Sequence, residues 1–265
     1  MDRAQQLAYL NQTLLTDLPQ FAGEVAALPG DEAVQRRLFR ALMNVRPAEL
    51  PLDPDFLAVQ DAFLSAEREA KGVVDAAALP DLPGHSGIAL WQGDITRLKA
   101  DAIVNAANSA LLGCFHPCHG CIDNAIHSAA GLQLRAACHR LMTAQGHDEP
   151  TGQAKITPGY NLPAKYVLHT VGPIIQGEVT GRDRGLLASC YRSCLALAAE
   201  RGLCSVAFCC ISTGEFHFPN TEAASIAVET VEDFLRTPTS IQKVIFNVFQ
   251  DKDLQIYRAI LGRSR

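Results

Sequence analysis

The sequence predicts an α/β protein, and its sheet is expected to be mixed but mostly parallel. Apolar runs of strand length recur at 87–91, 102–105, 154–157, 166–171, 205–211 and 243–249. Helix-period segments stand between them at 122–144, 184–201, 221–235 and 254–261. Strands that are nearly continuously apolar, rather than alternating, are buried on both faces, and intervening helices supply the crossovers a parallel sheet needs. Ahead of this pattern the chain reads as helices alone. The expected division is a helical extension at 1–75 and an α/β domain at 76–265.

In the extension, Leu7, Leu10, Leu14 and Leu18 form one stripe, which Pro19 ends. Asp31 can cap a second helix carrying Val34, Leu38, Ala41 and Leu42. Asp53 followed by Pro54 starts a third, with Phe56, Val59 and Phe63 inside it and Gly72 at its end. None of these helices shows a convergent polar cluster, so the extension is read as a structural cap. A turn-rich linker at 79–84 leads into the first strand, and Gly146 and Gly202 stand at expected helix C-termini.

The 265 residues suit one large domain or a domain with an appendage. A formal charge of −5 argues against a sequence-independent nucleic-acid binder, which needs a basic face. No apolar run approaches the ~20 residues that span a bilayer, so no membrane role is expected. The N-terminus lacks a basic segment followed by an apolar one, and a cytoplasmic protein is expected. Nine cysteines, an odd number clustered at one loop, point to reduced thiols. Cys138, Cys190 and Cys194 on helices, and Cys204, Cys209 and Cys210 in or beside a strand, read as small core hydrophobes.

Chemistry concentrates in three loops that follow strands, where open α/β sheets bind ligands. The first is Gln92-Gly93-Asp94-Ile95-Thr96; its carboxylate can accept from an exocyclic amine or a ribose hydroxyl, or simply cap a turn. The third, Ile211-Ser212-Thr213-Gly214-Glu215-Phe216-His217-Phe218-Pro219, presents backbone N–H groups ahead of a helix, an arrangement that suits phosphate. The second spans 105–127 and holds three Cys and two His within eight residues, between Cys114 and Cys121. Soft thiolates and imidazoles beside a phosphate-binding loop suggest a metal next to an anionic substrate. Zinc takes such ligands, and a catalytic site keeps three of them with a fourth position open. No Gly-x-Gly-x-x-Gly follows the first strand and no Gly-Lys-Ser/Thr loop occurs, so neither a Rossmann nor a P-loop site is supported.

Taken together, Gly93-Asp94-Ile95-Thr96, Ile103-Val104-Asn105-Ala106-Ala107-Asn108, Ile122-Asp123-Asn124-Ala125-Ile126-His127 and Ser212-Thr213-Gly214 resemble the macrodomain family over about 86–261. The resemblance implies a three-layer α/β/α module that binds ADP-ribose. Where most catalytic macrodomains carry a run of glycines, this chain has Cys114-Phe115-His116-Pro117-Cys118-His119-Gly120-Cys121. That departure, with the helical extension, resembles the zinc-dependent branch, whose members hydrolyse ADP-ribose from modified proteins. The branch's zinc ligands map onto Cys114, His119 and Cys121. Cys118 and His116 are surplus; a closed Cys3His structural site including Cys118, or no metal at all, are the alternatives. Gly113 and Gly120 are expected to let the loop fold back, and Pro117 to aim Cys118 away.

The resemblance implies further roles. Asp94 would hold the adenine amine with the Ile95 backbone beside it, and Ser212, Thr213, Gly214, Glu215 and Phe216 would cradle the diphosphate. Asn108 would bond the distal ribose, and Asp123 would order water near the diphosphate or the distal ribose; these two are the expected catalytic pair. Phe249 would stack on adenine or, equally, fill the core. His127 reads as a packed, hydrogen-bonded histidine rather than an acid or base. The expected activity is removal of mono-ADP-ribose from protein side chains through an Asp or Glu ester, with ADP-ribose-modified protein as partner. A non-catalytic ADP-ribose reader and an O-acetyl-ADP-ribose deacetylase are the competing readings.

Overall fold

A computed structural model describes residues 1–262. Four helices come first: α1 (Arg3–Asp17), α2 (Ala22–Ala26), α3 (Glu32–Val45) and α4 (Pro54–Lys71). Capping follows the sequence signals. Asp31 accepts from the Val34 N–H, and Asp53 accepts from the N–H groups of Asp55 and Phe56. The leucine stripe of α1 turns inward and packs with Leu38, Phe39 and Leu42 of α3 and Phe56 and Phe63 of α4. Phe39 and Phe63 meet edge to face, centroids 5.5 Å apart. This core is distinct from the one around the sheet, and Leu132 of a later helix packs into it. The short α2 has no periodic face and was not legible.

The sheet side begins with β1 (Val74–Asp75), β2 (Ile88–Gln92), β3 (Leu98–Lys99) and β4 (Ala102–Ala106). Then follow β5 (Ala154–Pro158), β6 (Tyr166–Thr170), β7 (Ser205–Phe208) and β8 (Lys243–Val248). β1 and β3 form a small parallel pair of their own. The other six form one sheet in the order β2-β8-β7-β4-β6-β5, parallel at every step except β5 against β6. The mixed, mostly parallel sheet is as expected. β7 stops at Phe208, short of the expected Ile211, because the chain leaves the sheet toward a turn at Ser212 with φ +65°.

The expected helix over 122–144 is two helices, α5 (Ile122–Ala130) and α6 (Leu132–Gln145), broken at Gly131 with φ +94°. A Cβ there would stand 2.7 Å from the side chains of Gln133 and Gln60, so only glycine makes this corner. α7 (Gly181–Glu200), α8 (Asn220–Leu235) and α9 (Asp251–Leu261) complete the chain. α7, α8 and α9 pack on one another and on the sheet, with Tyr191 against Phe208 and Tyr257 against Phe246. α5 lies against β4 and carries α3 and α4 of the extension on its outer side. Cys138, Cys190, Cys194 and Cys209 are buried as expected, but Cys210 is half-buried and Cys204 is exposed at the turn before β7. Among the described residues no helix is long and apolar enough to cross a membrane.

Candidate functional site

Because β2, β8, β7, β4 and β6 all run the same way, their C-terminal ends share one edge of the sheet. The three loops singled out in the sequence leave from that edge, together with Phe249 after β8. This is where a parallel sheet opens a crevice for ligands.

At the β2 end, Asp94 starts a short 3-10 turn, its Oδ1 accepting from the Thr96 N–H and hydroxyl at 3.0 and 2.6 Å. The turn-capping role is therefore real. Oδ2 takes no hydrogen bond among the described residues and stands open to a ligand donor. Ile95 is buried beneath it. Phe249 is 75% exposed, which removes the core alternative and leaves a bare aromatic face at the crevice rim.

At the β7 end, the loop over 212–216 turns through the left-handed conformation at Ser212, which a non-glycine residue adopts at some cost. The N–H groups of Gly214, Glu215 and Phe216 donate to no carbonyl among the described residues. The Ser212 hydroxyl is buried without a partner. α8 begins just beyond, with no side-chain cap on its N-terminus. Free N–H groups, an orphaned hydroxyl and the positive end of a helix form an anion cradle.

The 105–127 stretch carries the densest chemistry. Asn105, fully buried, donates to Asp123 Oδ1 at 2.8 Å and faces His169 Nδ1 at 3.2 Å. His169 Nδ1 is then the acceptor, and its Nε2–H donates to the Thr157 hydroxyl at 2.9 Å. Asn108 donates to the Gly113 carbonyl at 3.1 Å and to Asp123 Oδ2 at 3.4 Å, and its own Oδ1 accepts from the Ala110 N–H. Burial pushes the Asp123 carboxyl up to about 6, opposed by the Asn105 hydrogen bond and the Arg135 charge. His127 sits 3.5 Å from Asp123, but both its ring nitrogens lack hydrogen-bond partners. It is packed as expected yet not hydrogen-bonded, and burial drives its pKa well below the usual range. Gly113, at φ +82°, passes so close that a Cβ would stand 2.9 Å from the His127 ring. Gly120 has open space around it, so of the two glycines only Gly113 is required by its surroundings.

Cys114, His119 and Cys121 come together, with their ligand atoms all within 4.8 Å of one another. Cys114 Sγ lies 3.7 Å from His119 Nδ1. Ligands at ordinary bond lengths on a tetrahedral zinc are about 3.6 Å apart, so this donor set fits zinc with little movement. Cys121 is also the N-cap of α5, its Sγ accepting from the Asn124 N–H at 3.4 Å. Glu215 reaches from the anion-cradle loop to within 3.7 Å of His119 Nε2, the place where a carboxylate commonly backs a ligating histidine. Cys118 and the exposed His116 do not join the cluster. A second trio, His127, Cys138 and His169, is fully buried behind Asp123. Both nitrogens of His169 are already engaged, which makes that trio a wall of the site rather than a free donor set.

Sequence reasoning missed the residues that hold this loop in place. Arg40 of α3 donates to Asn124 Oδ1 at 3.0 and 2.7 Å and to the His119 carbonyl at 3.0 Å. Asn44, also on α3, accepts from the Cys118 N–H at 2.9 Å and donates to the Ser128 hydroxyl. Asn124 donates in turn to the His116 carbonyl at 2.9 Å. The extension thus does carry a convergent polar cluster, contrary to expectation. Its partners lie some eighty residues away in the chain, and only the helical spacing of Arg37, Arg40 and Asn44 hinted at a shared polar face.

One edge of the sheet therefore brings together a carboxylate with an open oxygen, an exposed aromatic ring, unpaired N–H groups and a Cys2His cluster, the layout of an α/β module with a ligand crevice at its strand ends. Residues 104–227 match the Macro domain family model. A Treponema medium protein named Protein-ADP-ribose hydrolase is 51% identical over 264 residues, covering 99% of this chain and 100% of that one. A Staphylococcus aureus (strain MSSA476) protein of the same name is 53% identical over 242 residues, 91% of this chain and 90% of that one. Among solved structures, the Trypanosoma brucei macrodomain in complex with ADP-ribose is similar at 35% identity and TM-score 0.66, covering 83% of this chain and 95% of that one. The chain belongs to the macro domain family.

Proposed function

We propose that this chain is a protein-ADP-ribose hydrolase that uses zinc to remove mono-ADP-ribose from protein side chains, through an ester to Asp or Glu. The observation that carries the zinc reading is the Cys114, His119 and Cys121 donor set, placed on the loop that also fastens Asp123 and Asn108. The names of relatives near 50% identity over nearly the whole chain support the hydrolase class.

The residues divide the substrate between them. The free Oδ2 of Asp94 accepts from the adenine amine, with the Ile95 backbone alongside and Phe249 stacking on the base. Ser212, Thr213, Gly214, Glu215 and Phe216 take the diphosphate, through the N–H groups of Gly214, Glu215 and Phe216, which donate to no carbonyl among the described residues. Asn108 and Asp123 position the distal ribose. Asp123 is held at one oxygen by Asn105 and at the other by Asn108, so it orients a sugar hydroxyl or a water rather than swinging freely. Cys114, His119 and Cys121 would hold zinc, with Glu215 behind His119. Bound there, the metal would supply Lewis-acid polarisation to the cleavage.

Replacing Cys121 with Ser tests this. Release of ADP-ribose from an Asp/Glu-modified protein should be abolished, while calorimetric affinity for free ADP-ribose is largely kept. Unchanged release would overturn the mechanism. Tight ADP-ribose binding by the unaltered protein with no release from any linkage would make it a reader. Activity confined to the small O-acetyl ester would make it a deacetylase.

A further inference from the structure

Cys118 is the one cysteine of the loop left outside the ligand cluster, and its spacing makes that unexpected. Cys118 and Cys121 stand in the C-x2-C arrangement that zinc sites favour, and Cys118 precedes His119 directly. That spacing would let Cys118 close the site as Cys3His. Contacts from α3 oppose this. The Cys118 N–H donates to Asn44 Oδ1 at 2.9 Å, and its thiol points to the Arg37 carbonyl, 3.4 Å away. Both partners belong to α3 of the extension, three and four residues on either side of Arg40. Arg40 anchors the next residue, His119, by its carbonyl and ties it to Asn124 of α5. Cys118 is held in the left-handed conformation at φ +53°, which costs about 1–2 kcal/mol for a non-glycine residue and persists only where neighbours impose it.

We propose that α3 of the helical extension withholds Cys118 from the metal, so that Cys114, His119 and Cys121 bind it with the fourth position open. Asn44 and Arg40 are then positioning residues for the metal loop. This inference rests on the zinc reading above and deepens it. The extension gains a chemical role, because a segment that would otherwise make a structural zinc knuckle is kept a three-ligand site by contacts from outside the α/β domain. Pro117 plays no part in these contacts.

The test uses the full chain loaded with cobalt(II) in place of zinc, because thiolate-to-cobalt charge transfer counts sulfur ligands independently of turnover. Wild type should show two thiolates. Asn44→Ala should release Cys118, so that the band grows to three thiolates and ADP-ribose release falls at least about tenfold, in the range seen when residues supporting metal ligands are lost. Asn44→Ala combined with Cys118→Ser should return both the two-thiolate band and turnover. Cys118→Ser alone should match wild type in each. A readout without substitution on α3 guards against misfolding. In the zinc-loaded wild type, alkylation followed by peptide sequencing should label Cys118, with exposed Cys204 as the internal standard, while Cys114 and Cys121 are protected until a chelator is added. No charge-transfer band in wild type would overturn the metal reading and this inference with it. A three-thiolate band in wild type, or zinc protection of Cys118, would overturn this inference alone. An unchanged band and turnover in a folded Asn44→Ala variant would do the same.

Discussion

Replacing Arg135 with Met probes the seam between the extension and the α/β domain with little change in volume. Arg135 lies on α6, 4% exposed, and its Nη1 donates to the carbonyls of Met43 and Arg46 at 2.9 and 2.8 Å. Those carbonyls end α3, so the guanidinium satisfies groups the helix leaves open and sits at its negative pole. It also lies over the Phe115 ring of the metal loop, 4.3 Å from the centroid. Two hydrogen bonds from a charged donor are worth about 1.5–3 kcal/mol each, a gross loss of about 3–6 kcal/mol. Against this, burial presses the Arg135 pKa from 12.5 down to about 10, and relieving that returns about 3 kcal/mol. The expected net destabilisation is about 1 kcal/mol at the middle of the range and about 3 kcal/mol at its top. Urea denaturation followed by the lone tryptophan, Trp91 on β2, reads it from the far side of the seam. With a slope of about 2–3 kcal/mol per molar, the midpoint should fall by about 0.5 M. A Trp91 midpoint that does not move would mean that the seam is not coupled to the stability of the sheet, and the expectation would fail.

Other expectations follow from the buried polar core. His169 is pressed down to about 3 by burial alone and stays neutral in the fold. A base whose folded pKa is depressed stabilises the fold above its unfolded pKa and loses that contribution as pH falls from about 6.5 toward 3. By pH 5 the loss is about 2 kcal/mol. His169→Gln should be the less stable protein at pH 7, by a gap that narrows by that amount at pH 5 in paired denaturation curves; a constant gap contradicts the assignment. Gly113→Ala combines left-handed strain with overlap on the His127 ring and should cost about 2–4 kcal/mol by the same denaturation assay, together with weaker zinc binding. A neutral substitution would mean that the loop does not need this close approach.

The fold was legible where the signals are local. Leu7, Leu10 and Leu14 repeat at helical spacing, Asp31 and Asp53 precede their helices with capping oxygens, and the apolar runs at 102–105 and 243–249 stand out against charged flanks. These arise from backbone geometry over a few residues, which a chain carries in its order. The break at Gly131 was not legible, because it depends on Gln60 and Gln133 crowding a corner from elsewhere in the fold. That Cys114, His119 and Cys121 would come together was readable in the cysteine loop. Its fastening by Arg40 and Asn44 was not, since one polar side chain meeting a distant carbonyl leaves no period and no motif. For the same reason His169 and Arg135 passed as ordinary strand and helix residues, and Asn105 was singled out only within a motif, although the three surround Asp123.

Metal content and turnover measured on one sample test the zinc-dependent chemistry at its centre. Purified protein is assayed for release of ADP-ribose from an Asp/Glu-modified protein before chelation, after removal of metal by a strong chelator, and after zinc is returned. Zinc near one per chain, loss of release on chelation and recovery with zinc are the expected results. Release that continues unchanged in metal-free protein would contradict them, placing the chemistry on Asp123 and Asn108 alone and leaving the cysteine loop a structural element.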